Sequence, residues 1–214
     1  ALEKGVIDKN TTFLCKGEHY SRNDEFKSHG YVTFEEAIKY SCNDYFVSLA
    51  NKLTHQEIKS FAEEQGYFSK ILNLQDEITG SINLPKSYET NKAMALGYSI
   101  SATPLQVAAS LSAVLNEGTY IKPYLVESIS DYMGNAAKVF SSEKKQVISK
   151  ETANIIKEAM RAATLGGTAT IANVTTMEIG AKTGTASSFD ENQKEHSHGW
   201  FAGYYKQDGR YYIM

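Results

Sequence analysis

The sequence has little of what marks several large classes of protein. Its 214 residues include two cysteines and three prolines, and its net charge is −3. Two cysteines allow at most one disulfide, so the chain is not a disulfide-built scaffold, and we expect Cys15 and Cys42 to be free thiols. A slightly acidic chain offers no basic face to nucleic acid. No apolar run approaches the roughly 20 residues that span a bilayer, so we expect a globular domain.

Helix-start signals recur through the first three quarters of the chain. Three pairs of residues have the spacing of capping boxes, which predict the first turns of helices: Thr33 and Glu36, Thr54 and Glu57, and Thr103 and Gln106. Apolar residues at helical spacing follow each pair. A fourth helix is predicted after Ser149. The polar triplet Ser41-Cys42-Asn43 interrupts the first apolar stripe and predicts a break between two helices, because burying unpaired polar groups costs about 1–3 kcal/mol each.

Strand signals lie mainly in the last third of the chain. The turns at Gly134-Asn135 and Asp208-Gly209 predict two hairpins, and the segment MEIGAKTGTA predicts a strand. Strands joined by short turns are antiparallel, and helices segregated from such a sheet indicate an α+β fold. We expect a mainly helical part with a small hairpin over residues 1–165 and a sheet part over residues 166–214.

The segment GAKTGTASS contains residues suited to binding an anion. A phosphate-binding P-loop is excluded, because this chain has alanine where the motif needs glycine before the lysine, and no helix pattern follows. On a strand, Lys182 offers positive charge, the hydroxyls of Thr183 and Thr185 can donate hydrogen bonds, and Gly184 permits close backbone approach. An edge strand can also dock an extended peptide. The segment therefore suits the terminal carboxylate of a peptide-like substrate.

Two histidines raise a metal alternative. His196 and His198 would share one face of a strand, and Asp190, Glu191 and Glu195 are close in sequence. A solvated loop with scattered charge explains the same residues. We therefore expect no metal and no cofactor.

Several segments together resemble the class B penicillin-binding proteins. That family carries Ser-x-x-Lys, Ser-x-Asn and Lys-Thr-Gly motifs, and this chain has Ser41-Cys42-Asn43 and Lys182-Thr183-Gly184 in that order. Flanking segments agree as well: HGYVTFEEAIKYSCNDYF, ALGYSISATPLQVAASLSAVLNEGTYIKP, MRAATLGGTAT and GWFAGYY. The resemblance spans residues 29–205. It implies the penicillin-binding and serine β-lactamase-like transpeptidase fold, a helical block packed on an antiparallel sheet that is incomplete in this chain.

The Ser-x-x-Lys motif of the family is absent from the residues before Ser41. No Ser-x-x-Lys precedes Ser41, and in the family that motif supplies the nucleophile and leads into a segment like Ala1–Ile7. The resemblance therefore implies that residues 1–214 form a partial transpeptidase domain. It places the nucleophile just upstream of Ala1 and implies that the chain alone is inactive.

The resemblance also implies a reaction and roles for three motif residues. The intact protein would transfer the acyl group of a D-Ala-D-Ala stem peptide in peptidoglycan cross-linking, and β-lactam antibiotics would trap the serine. Ser41 would relay a proton to the leaving amine, Asn43 would orient the nucleophile's lysine and bind a substrate amide, and Lys182 would steer the terminal carboxylate. The simpler alternative for Ser41 and Asn43 is a corner between helices, capped by these side chains.

Four further residues complete the expected site. The hydroxyls of Thr183 and Thr185 would hold the carboxylate beside Gly184, and the Thr185 N–H would be one donor to the oxyanion. Trp200 would line the cleft, and plain packing is an equal alternative for it.

The resemblance extends to location and leaves other activities open. The parent protein would be anchored in the bacterial membrane on the extracytoplasmic side, with other cell-wall synthesis proteins as partners. Two alternatives stay open. One is a non-catalytic sensor or degenerate homologue that binds penicillin or wall peptides, and the other is a serine β-lactamase.

Overall fold

The computed structural model describes residues 1–17, 28–82 and 94–214, with only the backbone described for residues 187–189. The described residues include five helices and eleven strands whose two ends both lie within them, joined by turns and loops. The helices are α1 Phe34–Tyr40, α2 Asn43–Ala50, α3 His55–Glu64, α4 Pro104–Leu115 and α5 Lys150–Gly166, and one 3₁₀ turn spans Thr170–Ala172. This mixture of helices and antiparallel strands confirms the expected α+β class.

The strands form one three-stranded sheet and four short ladders. Their bounds are β1 Phe13–Cys15, β2 Gly30–Val32, β3 Ser81–Ile82, β4 Ile100–Ser101, β5 Thr119–Ile121, β6 Ser128–Ser130, β7 Ala136–Val139, β8 Lys144–Gln146, β9 Glu178–Phe189, β10 Glu195–Gln207 and β11 Arg210–Ile213. The main sheet has the order β11-β10-β9, and every neighbouring pair in it is antiparallel. The short ladders pair β1 with β2, β3 with β4, β5 with β8 and β6 with β7.

The predicted helix starts are confirmed. Reciprocal capping boxes form at the starts of α1, α3 and α4, where a threonine side chain and a Glu or Gln side chain each accept the other's backbone N–H. Pro104 opens α4, and the Ser149 hydroxyl caps α5 by accepting the N–H of Thr152. These local bonds satisfy N–H groups that have no partner inside the helix.

The two predicted hairpins are also confirmed. β6 and β7 flank a turn in which Asp131 and Asn135 bond through their backbones and Gly134 has φ +87°. β10 and β11 are joined at Asp208 and Gly209, with φ values of +50° and +75°. Two successive left-handed residues match the twist of an antiparallel hairpin, which explains the preference for Asp-Gly there.

Helix α5 lies at the centre of the packing. It contacts α1, α4 and β9. Leu111 and Leu115 of α4, Met160 of α5 and Tyr204 of β10 form one buried cluster between helices and sheet. A second cluster joins β1, β2, α1 and α2 to Ala159 of α5. Among the described residues, no helix combines the length and apolar character that a membrane crossing requires.

Candidate active site

The predicted break in the first helical segment is a left-handed corner. α1 ends at Tyr40, Ser41 adopts φ 56° and ψ 47°, and α2 begins at Asn43. The Ser41 N–H donates to carbonyls in the last turn of α1, and Cys42 N donates to Ala37 O at 2.9 Å. A non-glycine residue in this region costs about 1–2 kcal/mol, so the corner must be stabilised by its contacts.

Strand β9 carries the lysine-threonine-glycine segment along the rim of the main sheet. Lys182 lies opposite Ala202 and Thr185 opposite Gly199 of β10. In the part of the chain that the structure describes, no strand pairs with the other side of β9. Side chains already donate to two carbonyls of β9, those of Ile179 and Thr183, so an extended ligand could bond only the backbone groups that remain.

The corner and the strand meet through one hydrogen bond. Lys182 Nζ donates to Ser41 Oγ at 2.9 Å and also to the carbonyl of Thr183. Burial lowers the pKa of Lys182 below the ordinary lysine value. Since Ser41 Oγ accepts from the ammonium group, its own proton remains available for donation to another group. Ser41 and Lys182 thus form a compact unit that can supply a proton and positive charge at one place.

A second connection between the corner and β9 involves a residue that we did not predict. Thr168 N donates to Lys39 O at 3.0 Å, and Thr183 Oγ1 donates to Thr168 Oγ1 at 3.2 Å. Gly167 makes the crossing possible, because a Cβ there would overlap the carbonyl of Lys39. The Gly166-Gly167 pair is the sequence signal that could have indicated this close approach.

The remaining predicted residues lie along β9 and β10 or at the corner. Gly184 and Thr185 are exposed, and Trp200, directly opposite Gly184, is 38% exposed. Thr183 and Thr185 are two residues apart and therefore share a face of the strand. Asn43 is partly buried at the start of α2. The exposed residues Gly184 and Thr185 follow Lys182 by two and three positions along β9.

Three other groups are poor candidates for the chemistry. Burial raises the pKa of the Cys42 thiol to about 12, so without a cation it is protonated at neutral pH and is a weak nucleophile. Two Ser-x-x-Lys matches, beginning at Ser141 and Ser142, belong to the region of β8, which pairs with β5 rather than with β9. His196 Nε2 lies 3.0 Å from Asp190 Oδ2 in an exposed contact, so an ion pair or hydrogen bond already explains the position of this histidine.

Comparison with known proteins identifies the family. A family model described as the penicillin-binding protein transpeptidase domain matches residues 1–214. The chain belongs to this family. It is 34% identical over 170 residues to the stage V sporulation protein D of Bacillus subtilis, which covers 77% of this chain and 26% of that protein. This chain therefore matches about a quarter of the length of this relative.

Solved structures of the family share the fold. A D,D-transpeptidase domain from Eggerthella lenta is 25% identical, with a TM-score of 0.75, and the match covers 96% of this chain and 54% of that one. Penicillin-binding protein 3 of Mycobacterium tuberculosis, solved in complex with ampicillin, has a TM-score of 0.83 at 20% identity. That match covers 99% of this chain and 51% of that one. The penicillin-binding and β-lactamase-like fold expected from the sequence is confirmed.

Proposed function

We propose that this chain contributes the Ser-x-Asn and Lys-Thr-Gly sides of the active site of a peptidoglycan D,D-transpeptidase. The observation that carries the proposal is the 2.9 Å hydrogen bond from Lys182 Nζ to Ser41 Oγ. It joins two motifs that are 141 residues apart in the chain. Because the motifs of this family act together on one substrate, their meeting favours an active site over two independent surface features.

The nucleophile in this proposal is a serine of a Ser-x-x-Lys motif outside residues 1–214. The lysine of that motif takes the serine's proton as the serine oxygen attacks the carbonyl carbon of the penultimate D-alanine, and the terminal D-alanine leaves as a free amine after its nitrogen has received one proton from Ser41. The amine of a second stem peptide then attacks the acyl-enzyme, forms the cross-link and returns a proton to the serine. Residues 1–214 alone, which lack this serine beside the corner, are inactive on this account.

Ser41 and Lys182 are proposed to move and stabilise charge in these steps. The Ser41 hydroxyl gives its proton to the leaving nitrogen and receives one from the lysine of the nucleophile motif, and the Lys182 ammonium stabilises the Ser41 oxygen during the transfer. Asn43, the first residue of α2, orients the lysine of the nucleophile motif and binds a substrate amide. A relay is favoured when its hydrogen-bond distances are set before the substrate arrives, and the 2.9 Å bond between Lys182 and Ser41 supports such a role.

Strand β9 is proposed to hold the substrate. The stem peptide lies along the free side of β9 as an added strand, and its carboxylate accepts hydrogen bonds from the hydroxyls of Thr183 and Thr185 beside Gly184. The Thr183 hydroxyl bonds Thr168 in the structure and can rotate toward a carboxylate. The Thr185 N–H is one oxyanion donor, and Trp200 lines the cleft from β10 on the face that Gly184 shares, opposite the threonine face.

Fluorescent penicillin labelling of the intact protein tests the proposal. Labelling should be covalent and stoichiometric, and mass spectrometry should find the adduct on the serine of a Ser-x-x-Lys motif. A chain restricted to residues 1–214 is the matched control and should show no adduct. An adduct on Ser41, or no adduct on the intact protein, would contradict the proposal.

Product analysis separates the transpeptidase from the two alternatives. A transpeptidase should cross-link stem peptides when an acceptor amine is present. Rapid hydrolysis of penicillin would instead indicate a β-lactamase, and an acyl-enzyme that never transfers would indicate a sensor. We also propose that the parent protein is anchored on the extracytoplasmic side of the membrane, because its substrate is the cell wall.

A further inference from the structure

Three metal-ligand side chains from separate segments converge behind the Ser41 corner. Cys15 ends β1, His29 directly precedes β2, and Cys42 lies between the two helices at the corner. One donor atom from each of these residues lies within 4.8 Å of the other two. Among the residues that the structure describes, no other three His, Cys, Asp or Glu side chains lie close enough together to hold a metal ion.

The geometry of the cluster suits a tetrahedral ion bound by sulfur and nitrogen. Zinc lies about 2.3 Å from thiolate sulfur and about 2.0 Å from imidazole nitrogen, which places the two donors about 3.6 Å apart at a tetrahedral angle. The observed distance from Cys15 Sγ to His29 Nδ1 is 3.6 Å. All donor pairs in the group lie within 4.8 Å, so two sulfurs, whose tetrahedral separation is about 3.8 Å, would have to approach by about 1 Å at most.

The surrounding contacts position the ligands in advance. His29 N donates to Cys15 Sγ at 3.4 Å, and the His29 ring stacks on Tyr40 with 5.5 Å between centroids. The Asp44 carboxylate accepts the N–H groups of Lys16 and Gly17, which fixes the chain directly after Cys15. Outer contacts of this kind orient metal ligands and stabilise the charge on a ligating sulfur.

Burial and charge also favour a cation here. Cys15 and Cys42 are both 0% exposed, and no disulfide joins them. Coordination removes the thiol protons, and two thiolates balance the charge of one divalent ion. His29 is exposed and gives an ion a path from solvent into the site.

We propose that Cys15, His29 and Cys42 bind a zinc ion that fixes the Ser41–Asn43 corner to the β1–β2 ladder. The two thiols release their protons on binding, His29 coordinates through a neutral ring nitrogen, and water or another donor takes the fourth position. The ion acts as a structural brace. Because Cys42 is the middle residue of the Ser-x-Asn motif, ligation holds the backbone on which both flanking side chains depend.

Metal analysis of the intact protein tests the site directly. Protein purified without chelators should contain one zinc per chain, and cobalt substitution should give thiolate-to-cobalt charge-transfer absorption. His29→Gln should weaken zinc at least about tenfold in competition with a chromogenic chelator, since loss of an outer contact alone costs that much. His29 is exposed, so this variant should fold, and His196→Gln on β10 is the matched control that should keep zinc.

Two results would overturn the site. One is intact protein that carries no stoichiometric zinc and shows no cobalt charge-transfer band, with its cysteines either fully reactive as thiols or joined as a disulfide. The other is zinc bound equally by the wild type, Cys42→Ser and His29→Gln proteins, which would place the ion elsewhere.

A labelling experiment tests the brace, and this arm rests on the proposed function. Zinc removal should slow penicillin labelling at least about tenfold, and added zinc should restore it. Unchanged labelling after verified zinc loss would overturn the coupling to the corner and leave the metal site standing. Absence of labelling with zinc present would count against the proposed function instead.

Discussion

Lys182 and Ser41 share a hydrogen bond of 2.9 Å between the amino nitrogen and the hydroxyl oxygen, across a separation of 141 residues. The bond connects the rim strand of the main sheet to a left-handed corner between two helices. Under the proposed function, the relative position of α1, α2 and β9 therefore matters for the reaction. Three of the predictions below concern this pair directly.

Removing the amino group of Lys182 should disable acylation without unfolding the protein. In the intact protein, Lys182→Ala should slow acylation by a penicillin by about 100-fold, the loss typical for one preorganised electrostatic group. Lys206→Ala is a matched control, since Lys206 lies on β10 in an exposed 3.8 Å contact with Glu178. Stopped-flow acylation kinetics measure both variants. Equal rates in the two variants would remove the assigned role of Lys182.

Substitution of Ser41 should separate its backbone role from its hydroxyl role. The residue has φ 56°, where glycine is unstrained and alanine is not. Ser41→Gly should change the free energy of unfolding by less than about 1 kcal/mol, whereas Ser41→Ala should retain the strain. Both should slow acylation, because both lack the hydroxyl. Urea denaturation measures the stability of the two variants, and acylation kinetics measure their reaction rates. Normal acylation by Ser41→Gly would contradict the proton relay.

The buried lysine should make stability depend on alkaline pH. Burial lowers the pKa of Lys182 in the folded state, so between that pKa and about 10.4 the unfolded chain binds more protons. The free energy of unfolding of the wild type, relative to Lys182→Met, should therefore rise as pH increases through this window. Urea denaturation at a series of pH values measures the difference. A relative stability that falls with pH would mean that the lysine is held charged by a partner.

Two glycines of β9 should respond differently to an added methyl group. A Cβ at Gly180 would overlap the ring of Tyr204, which is 0% exposed, so Gly180→Ala should lower the free energy of unfolding by about 1–3 kcal/mol. A Cβ at Gly184 would lie 3.8 Å from the Cβ of Trp200, an ordinary contact. Gly184→Ala should leave stability nearly unchanged and weaken substrate binding beside β9. Thermal unfolding and acylation kinetics distinguish the two effects. Loss of stability in both variants would argue against an open cleft at Gly184.

Much of the fold could be predicted because its signals are local. The Thr33–Glu36 capping box, the Asp208-Gly209 turn and the polar break at Ser41 each act through bonds within a few residues. These features needed no knowledge of distant contacts.

The parts that could not be predicted depend on contacts between distant segments. Thr168 joins Lys39 to Thr183 only after α5 has packed against α1. Cys15 and Cys42 lie 27 positions apart (42 − 15) and become neighbours only through the packing of β1 on α2. Their spacing matches no common metal motif, so sequence reasoning treated them as two separate thiols.

A crystal structure of the intact protein acylated by a penicillin tests the central claim most directly. The claim predicts that the antibiotic carboxylate accepts hydrogen bonds from Thr183 and Thr185, with its acyl oxygen facing the Thr185 N–H and Ser41 beside the acylated serine. An acylated serine whose adduct points away from β9, with Lys182 and Ser41 outside contact range, would contradict it.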